Sequence, residues 1–255
     1  MYHNIFDSHA HYDDEQFNLD RNELLVSFKE KGISGVVCCG VNIKTSEFAV
    51  ELSHKYDFMY SAVGFHPLDN AEYLDGDLER IKKLAQDPKC VAIGEIGLDY
   101  HYEKESRENQ LVILEKQIQL ANELDMPIIF HDRESHEDTL NLLKKYKPKG
   151  VLHCFSGSVE MAKEIIKLGM YIGLGGAVTF KNAVKPCEVA KYVPSDRLLI
   201  ETDAPYMTPV PFRGKRCDSL YIPYTAEKIA ELRGCTAQEI LDLTNENAKT
   251  LFNIR

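Results

Sequence analysis

Two imidazoles lie one residue apart in Asp7-Ser8-His9-Ala10-His11. In an extended chain alternate side chains share a face, so His9 and His11 point together while Ser8 and Ala10 point away. Such a pair can hold a metal ion, although a solvated strand end would carry the same residues. The choice turns on what else arrives at the same place. Glu95 closes the apolar run Cys90–Ile96, His131 closes Pro127–His131, His153 closes Gly150–Cys154, and Asp203 follows Arg197–Glu201. If these runs are parallel strands their ends share one rim, and His9, His11, Glu95, His131, His153 and Asp203 surround one cavity.

Left without a cation, that cluster would set ring donors and carboxylates against one another where water is partly excluded. Divalent ions remove the conflict. Mixed imidazole and carboxylate ligands suit zinc, manganese, iron or cobalt, and tolerate magnesium. Six ligands exceed the usual four of a structural zinc, so two divalent ions per chain are expected, roughly 3.5–4 Å apart with an activated water between them. Glu95, with two oxygens on a central strand, is the expected bridge. Asp203 can both touch a metal and take the proton of the attacking water.

The elements that must position these groups are legible as an alternation. Eight β-type runs, Asn4–His9, Gly35–Gly40, Met59–Phe65, Cys90–Ile96, Pro127–His131, Gly150–Cys154, Met170–Leu174 and Arg197–Glu201, are separated by segments with helical apolar spacing. Leu111, Leu114, Ile118, Ala121 and Leu124 fall on one helical face. Asp20 with Glu23, and Thr236 with Glu239, read as capping boxes, and Gly32 reads as a helix stop. There is no linker-like or low-complexity tract. The pattern predicts an α/β fold: one domain over 1–255, a single (β/α)₈ TIM-type barrel with its active site at the C-terminal ends of the strands. An open doubly wound sheet is the competing architecture, but its G-x-G-x-x-G signature after the first strand is absent.

Composition narrows the rest. With 30 basic against 40 acidic side chains the net charge is −10, so a broad basic footprint for duplex backbone is not expected and any phosphate must be gripped locally. Seven cysteines without a C-x-x-C pair suggest reduced thiols, with Cys38, Cys39, Cys90 and Cys154 as small buried hydrophobes, and hence a cytoplasmic location. Met1-Tyr2-His3-Asn4 has no basic, then apolar, pattern of a signal peptide, and no run is long enough for a membrane span. His3, His54 and His136 read as solvated side chains, and His101 as an exposed loop residue. Tyr100 and Tyr206 could stack on a base or simply pack at the barrel rim. Strand alternation would turn Cys154 away from His153, toward packing.

Asp7-Ser8-His9-Ala10-His11, Gly64-Phe65-His66-Pro67, Ala92 through Tyr100, His153-Cys154-Phe155-Ser156-Gly157 and Glu201-Thr202-Asp203-Ala204-Pro205-Tyr206 together resemble the TatD-type deoxyribonucleases of the amidohydrolase-like superfamily. The likeness runs in order over residues 5–252. It implies a binuclear site on the six ligands named above and cleavage of phosphodiester bonds in DNA, commonly from the 3′ end, with single strands or 3′ ends as partner. It also implies His66 beside the scissile phosphate and Arg133 on a backbone phosphate. The motif Arg213-Gly214-Lys215-Arg216 is kept, followed by Cys217 where the family usually has Asn. Arg213, Lys215 and Arg216 could then supply the local phosphate grip, or form an ordinary charged loop.

The expected reaction is metal-assisted hydrolysis with Asp203, Glu95 and His66 as the catalytic groups, in a chain acting as a monomer. A hydrolase of lactones, amides or phosphoesters would use similar ligands, though such relatives often bridge with a carboxylated Lys where this chain offers Glu95. A catalytically silent binding barrel would leave the six ligands unused.

Overall fold

A computed structural model of the chain describes residues 1–102 and 106–254. Eight parallel strands, β1 (Ile5–Ala10), β2 (Ile33–Cys39), β3 (Met59–Val63), β4 (Cys90–Asp99), β5 (Ile128–Arg133), β6 (Gly150–Leu152), β7 (Tyr171–Leu174) and β8 (Leu198–Ile200), pair in sequence order. The ring closes where Ala10 bridges Ala204, with the Asp203 N–H on the His9 carbonyl at 3.0 Å and the His11 N–H on the Ala204 carbonyl at 2.7 Å. This is the expected single-domain (β/α)₈ barrel.

The strands are wrapped by α1 (Arg21–Phe28), α2 (Ile43–Lys55), α3 (Asp77–Leu84), α4 (Arg107–Glu123), α5 (His136–Tyr146), α6 (Val159–Lys167), α7 (Val184–Tyr192), α8 (Ile222–Arg233) and α9 (Ala237–Phe252). Buried on both faces, the strands are almost continuously apolar. One face of each strand packs under the helices, where the expected α4 stripe buries Leu114, Ile118 and Ala121. The other face fills the barrel with Phe6, Val37, Ala62, Ile129, Val151, Tyr171 and Leu199. The last turns of α9 seal the lower end, Phe252 stacking on Phe6 with ring centroids 6.4 Å apart.

Several boundaries differ from the sequence reading. Strand β4 continues to Asp99 and β5 to Arg133, held together by the pairs Gly97–His131, Leu98–Asp132 and Asp99–Arg133. Strand β6 stops at Leu152, so His153 and Cys154 lie beyond it. The Thr236–Glu239 capping box forms, but Asp20 makes no cap for α1. Its carboxylate is taken instead by Arg216, whose two terminal nitrogens donate to it at 2.7 and 2.6 Å. A bidentate guanidinium is a stronger donor than a backbone N–H and wins the competition. Among the described residues, no helix is long and apolar enough to cross a membrane.

Candidate metal centre

The upper end of the barrel interior is built from strand ends, and every expected ligand is there. His9 Nε2 and His11 Nε2 are 3.0 Å apart, and both lie 3.3–3.6 Å from Glu95 Oε2 and Asp203 Oδ1. The other carboxylate oxygen of Glu95 faces a second set: Oε1 is 2.8 Å from His153 Nε2, 3.0 Å from His131 Nδ1 and 3.6 Å from His66 Nε2. Asp203 has φ 59°, a left-handed conformation that Asp tolerates better than most residues, and this turn just after β8 aims its carboxylate inward. Gly173 on β7 leaves the room this crowding needs. A Cβ there would come within 2.7 Å of Glu201 Oε2.

The outer ring nitrogens show which inner ones are open. His11 Nδ1 donates to the Cys39 carbonyl at 3.0 Å and His131 Nε2 to Asp99 Oδ2 at 3.1 Å. His9 Nδ1 lies 3.3 Å from Cys39 Sγ, and His153 Nδ1 3.6 Å from Glu201 Oε1. A proton held on the outer nitrogen leaves the inner lone pair free for a metal. His66 is different. Its Nδ1 accepts the Leu68 N–H at 3.1 Å, capping the 3-10 turn Pro67–Glu72, so the neutral ring carries its proton on Nε2 and presents a donor to the cavity. Although His66, Glu95 and His131 are close enough to share an ion, this bond suits His66 to an anion rather than a cation.

Charge at the site follows from burial and proximity. Burial pushes the His66 pKa down to about 3 and lowers that of His9, which also faces His153. Burial works against ionised Glu95 too, but His153, His66, His9 and His11 outweigh it and hold its carboxyl well below the usual range. Asp203 is likewise lowered against burial, by His11, His9 and His153. Burial also opposes charge on His11, His131 and His153, yet carboxylate partners raise all three: Asp203 and Glu95 for His11, Asp99 and Glu95 for His131, and Glu95 and Glu201 for His153. The carboxylates are anions, and protons balance them where a cation does not. The donor set therefore fits divalent ions, with His9, His11 and Asp203 on one side of Glu95 and His131 and His153 on the other.

These groups open onto a cavity of about 620 Å³. Its wall also carries Asp13, Asp14, Asp69, Asp132, Cys154 and Tyr206, and among the described lining residues Arg133 is the one permanent cation. The Arg133 guanidinium lies 4.9 Å over the Tyr102 ring. Arg213, Lys215 and Arg216 are not on this wall. Arg213 stacks over Phe180 at 4.0 Å, Lys215 sits 5.3 Å over Phe212, and Arg216 is committed to Asp20. Cys217 is fully buried, its N–H on the Pro205 carbonyl at 2.9 Å.

Other expectations shift. Cys154 lines the cavity because β6 ends two residues earlier, and its φ of 43° breaks the alternation. Tyr206 also lines it, its hydroxyl donating to Asp14 at 2.8 Å, whereas the Tyr100 hydroxyl is turned to Asp138 at 2.5 Å. His54, His136 and His101 are not simply solvated: they meet Asp87, Asp132 and Glu134 at 2.8, 2.7 and 2.7 Å. The residues behind the ligands went unassigned in the sequence. Asp7 is fully buried and accepts from the Thr202 N–H and hydroxyl, the Ser219 hydroxyl and the His9 N–H, tying β1 to the chain after β8. Asp7, Asp99 and Glu201 each lie within the motifs quoted above, and that was the available signal.

Comparison with known proteins gives the same picture. The family model for TatD related DNase matches residues 6–253. The metal-dependent hydrolase YabD of Bacillus subtilis, itself described as uncharacterized, is 46% identical over 253 residues, covering 98% of this chain and 99% of that one. The 3′-5′ ssDNA/RNA exonuclease TatD of Salmonella typhimurium is 34% identical over 259 residues, covering 98% and 99%. Among solved structures, the TatD homolog YJJV of Escherichia coli superposes with TM-score 0.93 at 31% identity over the whole of both chains. The Escherichia coli phosphotriesterase homology protein, at 14% identity and TM-score 0.67 over 97% and 98%, shares the fold. By sequence and by structure, then, the chain belongs to the TatD-related DNase family of metal-dependent hydrolases.

Proposed function

We propose that the chain is a cytoplasmic, monomeric exodeoxyribonuclease that removes nucleotides from the 3′ end of single-stranded or frayed DNA, using two divalent ions held by His9, His11, Glu95, His131, His153 and Asp203. The observation that carries this reading is the division of Glu95, whose two oxygens face two separate groups of imidazoles. When bound, zinc, manganese or magnesium would supply Lewis-acid polarisation and lower the pKa of water. Glu95 holds the two halves of the site in one register. Asp203, an anion facing the cavity, takes the proton from the attacking water. The His66 Nε2–H donates to the phosphoryl oxygen, and Arg133 binds a neighbouring phosphate.

The acidic wall supports an end over a duplex. Asp13, Asp14, Asp69 and Asp132 oppose a polyanion laid across the mouth, whereas one terminal phosphodiester can reach the centre beside Arg133. Arg213 and Lys215 extend the contact to phosphates farther out. All seven cysteines are free thiols, in keeping with a reducing compartment.

The test uses 3′- and 5′-labelled single strands of DNA and RNA, each with chelator and with manganese, magnesium or zinc restored. Mononucleotides should leave the 3′-labelled DNA first and vanish with chelator. Loss of the 5′ label first would overturn the polarity. Hydrolysis of lactones or phosphotriesters with intact DNA would overturn the substrate. Because His11 and His153 are held protonated without a cation, metal binding at neutral pH should also release protons, measurable by calorimetry in buffers of different ionisation enthalpy.

A further inference from the structure

We infer that Cys39, the last residue of β2, is a positioning residue that holds both members of the His9/His11 pair through two different atoms. Its carbonyl accepts from His11 Nδ1 at 3.0 Å, and its sulfur lies 3.3 Å from His9 Nδ1. The thiol hydrogen has its own acceptor, the Val37 carbonyl at 3.9 Å, which turns a sulfur lone pair toward the His9 ring. Cys39 is fully buried, as is His9, so no water competes for this contact.

The geometry explains why a thiol stands at the level of the site rather than another apolar side chain. Val37 and Cys39 share the inward face of β2, two residues apart. Val37 packs in the apolar layer, while Cys39 rises into the layer of the imidazoles. There its sulfur is small and soft enough to pack as a hydrophobe, yet it accepts weakly from an N–H. His9 and His11 have their Nε2 atoms only 3.0 Å apart, so each inner nitrogen must be free of hydrogen for both to face one cation. Holding both outer nitrogens as donors fixes that tautomer on neutral His9, and leaves the inner nitrogen of His11 as the one that gives up its proton when a cation binds. One residue therefore sets the protonation pattern of two ligands.

The inference rests on the metal-centre reading, and the experiment separates the two. Manganese and zinc binding to the full chain is measured by calorimetry for the wild type, Cys39→Ala and Cys39→Ser, alongside thermal unfolding of the metal-free proteins. Long-range ¹⁵N–¹H spectra of the metal-free proteins report the imidazole tautomers. Alanine keeps the carbonyl but removes the sulfur, and serine restores a compact acceptor. Loss of an outer partner of a metal-binding histidine typically weakens affinity about 10–100-fold. Cys39→Ala should lose affinity at the lower end of that range, with the His9 ring mixing tautomers, and Cys39→Ser should recover most of both. Should the alanine chain not fold, Cys39→Val, which fills the space without an acceptor, takes its place. Wild-type affinity and an unchanged His9 tautomer in the acceptor-free variant would overturn the inference. So would equal weakening in the serine variant, which would make the sulfur's role one of packing. A wild type that binds neither metal would overturn the centre itself.

Discussion

The lower and upper halves of the barrel interior both lie deep in the fold and are oppositely built. Below, Phe6, Val37, Ala62, Ile129, Val151, Tyr171 and Leu199 fill the space with apolar groups that gain by leaving water, each large one contributing about 1.5–3 kcal/mol. Above, His9, Glu95, His153 and Glu201 are no more than 5% exposed, yet they meet as imidazoles and carboxylates that cannot all satisfy one another. His153 Nδ1 lies 3.6 Å from its ion-pair partner Glu201 Oε1, beyond hydrogen-bond reach, and Glu201 Oε2 accepts no hydrogen bond among the described residues. Packing explains the lower layer without reference to any ligand. The upper layer has the donor set of a cation receptor, placed where the ends of β1, β4, β5, β6 and β8 bring six side chains together over an apolar floor.

The largest expected effect breaks the upper half alone. Asp203→Asn keeps shape and removes the anion, so turnover on single-stranded DNA should fall by up to about 10⁴-fold with substrate binding retained. Steady-state kinetics together with a binding assay measure both, and near-wild-type turnover would remove Asp203 from the role of base. The mirror experiment breaks the lower half. Phe6→Ala removes a ring stacked on both Tyr60 and Phe252, and should cost about 3–5 kcal/mol in urea unfolding while leaving turnover per folded molecule unchanged. A large loss of turnover at full folding would mean that the two halves are not separable.

This division also decides what could be read from the sequence. The gathering of the six candidate ligands was legible because each one ends or follows an apolar run, and parallel strands bring such ends together whatever their separation in the chain. Cys39, Asp99 and Glu201 were not legible as partners of His9, His131 and His153, since those contacts join residues 30, 32 and 48 positions apart. Spacing carries no information about them. Asp20 misled for the opposite reason: its local pattern with Glu23 is sound, but Arg216, 196 positions away, outcompetes it. Cys154 was misplaced because alternation was carried past the end of β6.

Asp7 lies at the boundary, below the ligands and behind the seam that closes the ring. Burial raises its carboxyl to about 7 even against its four donors. A folded-state pKa above the unfolded value means that the unfolded chain ionises first, so stability is lost as pH rises from about 4 to about 7. The loss should be roughly 2–4 kcal/mol for so deeply buried a group. Asp7→Asn should flatten this slope, read as the difference between the two proteins in urea midpoint across that window. Equal slopes would mean that Asp7 is ionised throughout and belongs with the charged upper half.

The smallest effect separates Arg216, tied to Asp20, from Arg213 and Lys215 on the same loop, the two proposed to meet outer phosphates. Arg216 donates to Asp20 and holds its carboxyl below the ordinary range, a depressed pKa in the folded state. The sign is therefore the reverse of that at Asp7: the pair's contribution is present above about pH 4 and disappears as pH falls through the lowered value. Both partners are partly exposed, so solvent screening limits the contribution to less than about 1 kcal/mol. Asp20→Asn should lower the urea midpoint slightly at pH 7, and by progressively less as pH falls below about 4 through the lowered value. It should also release Arg216 from its carboxylate, and single-stranded DNA should then bind slightly more tightly, with a steeper dependence on salt. Unchanged DNA binding and salt slope, with the small stability loss present, would mean that Arg216 cannot reach the nucleic acid even when freed, leaving the outer contact to Arg213 and Lys215.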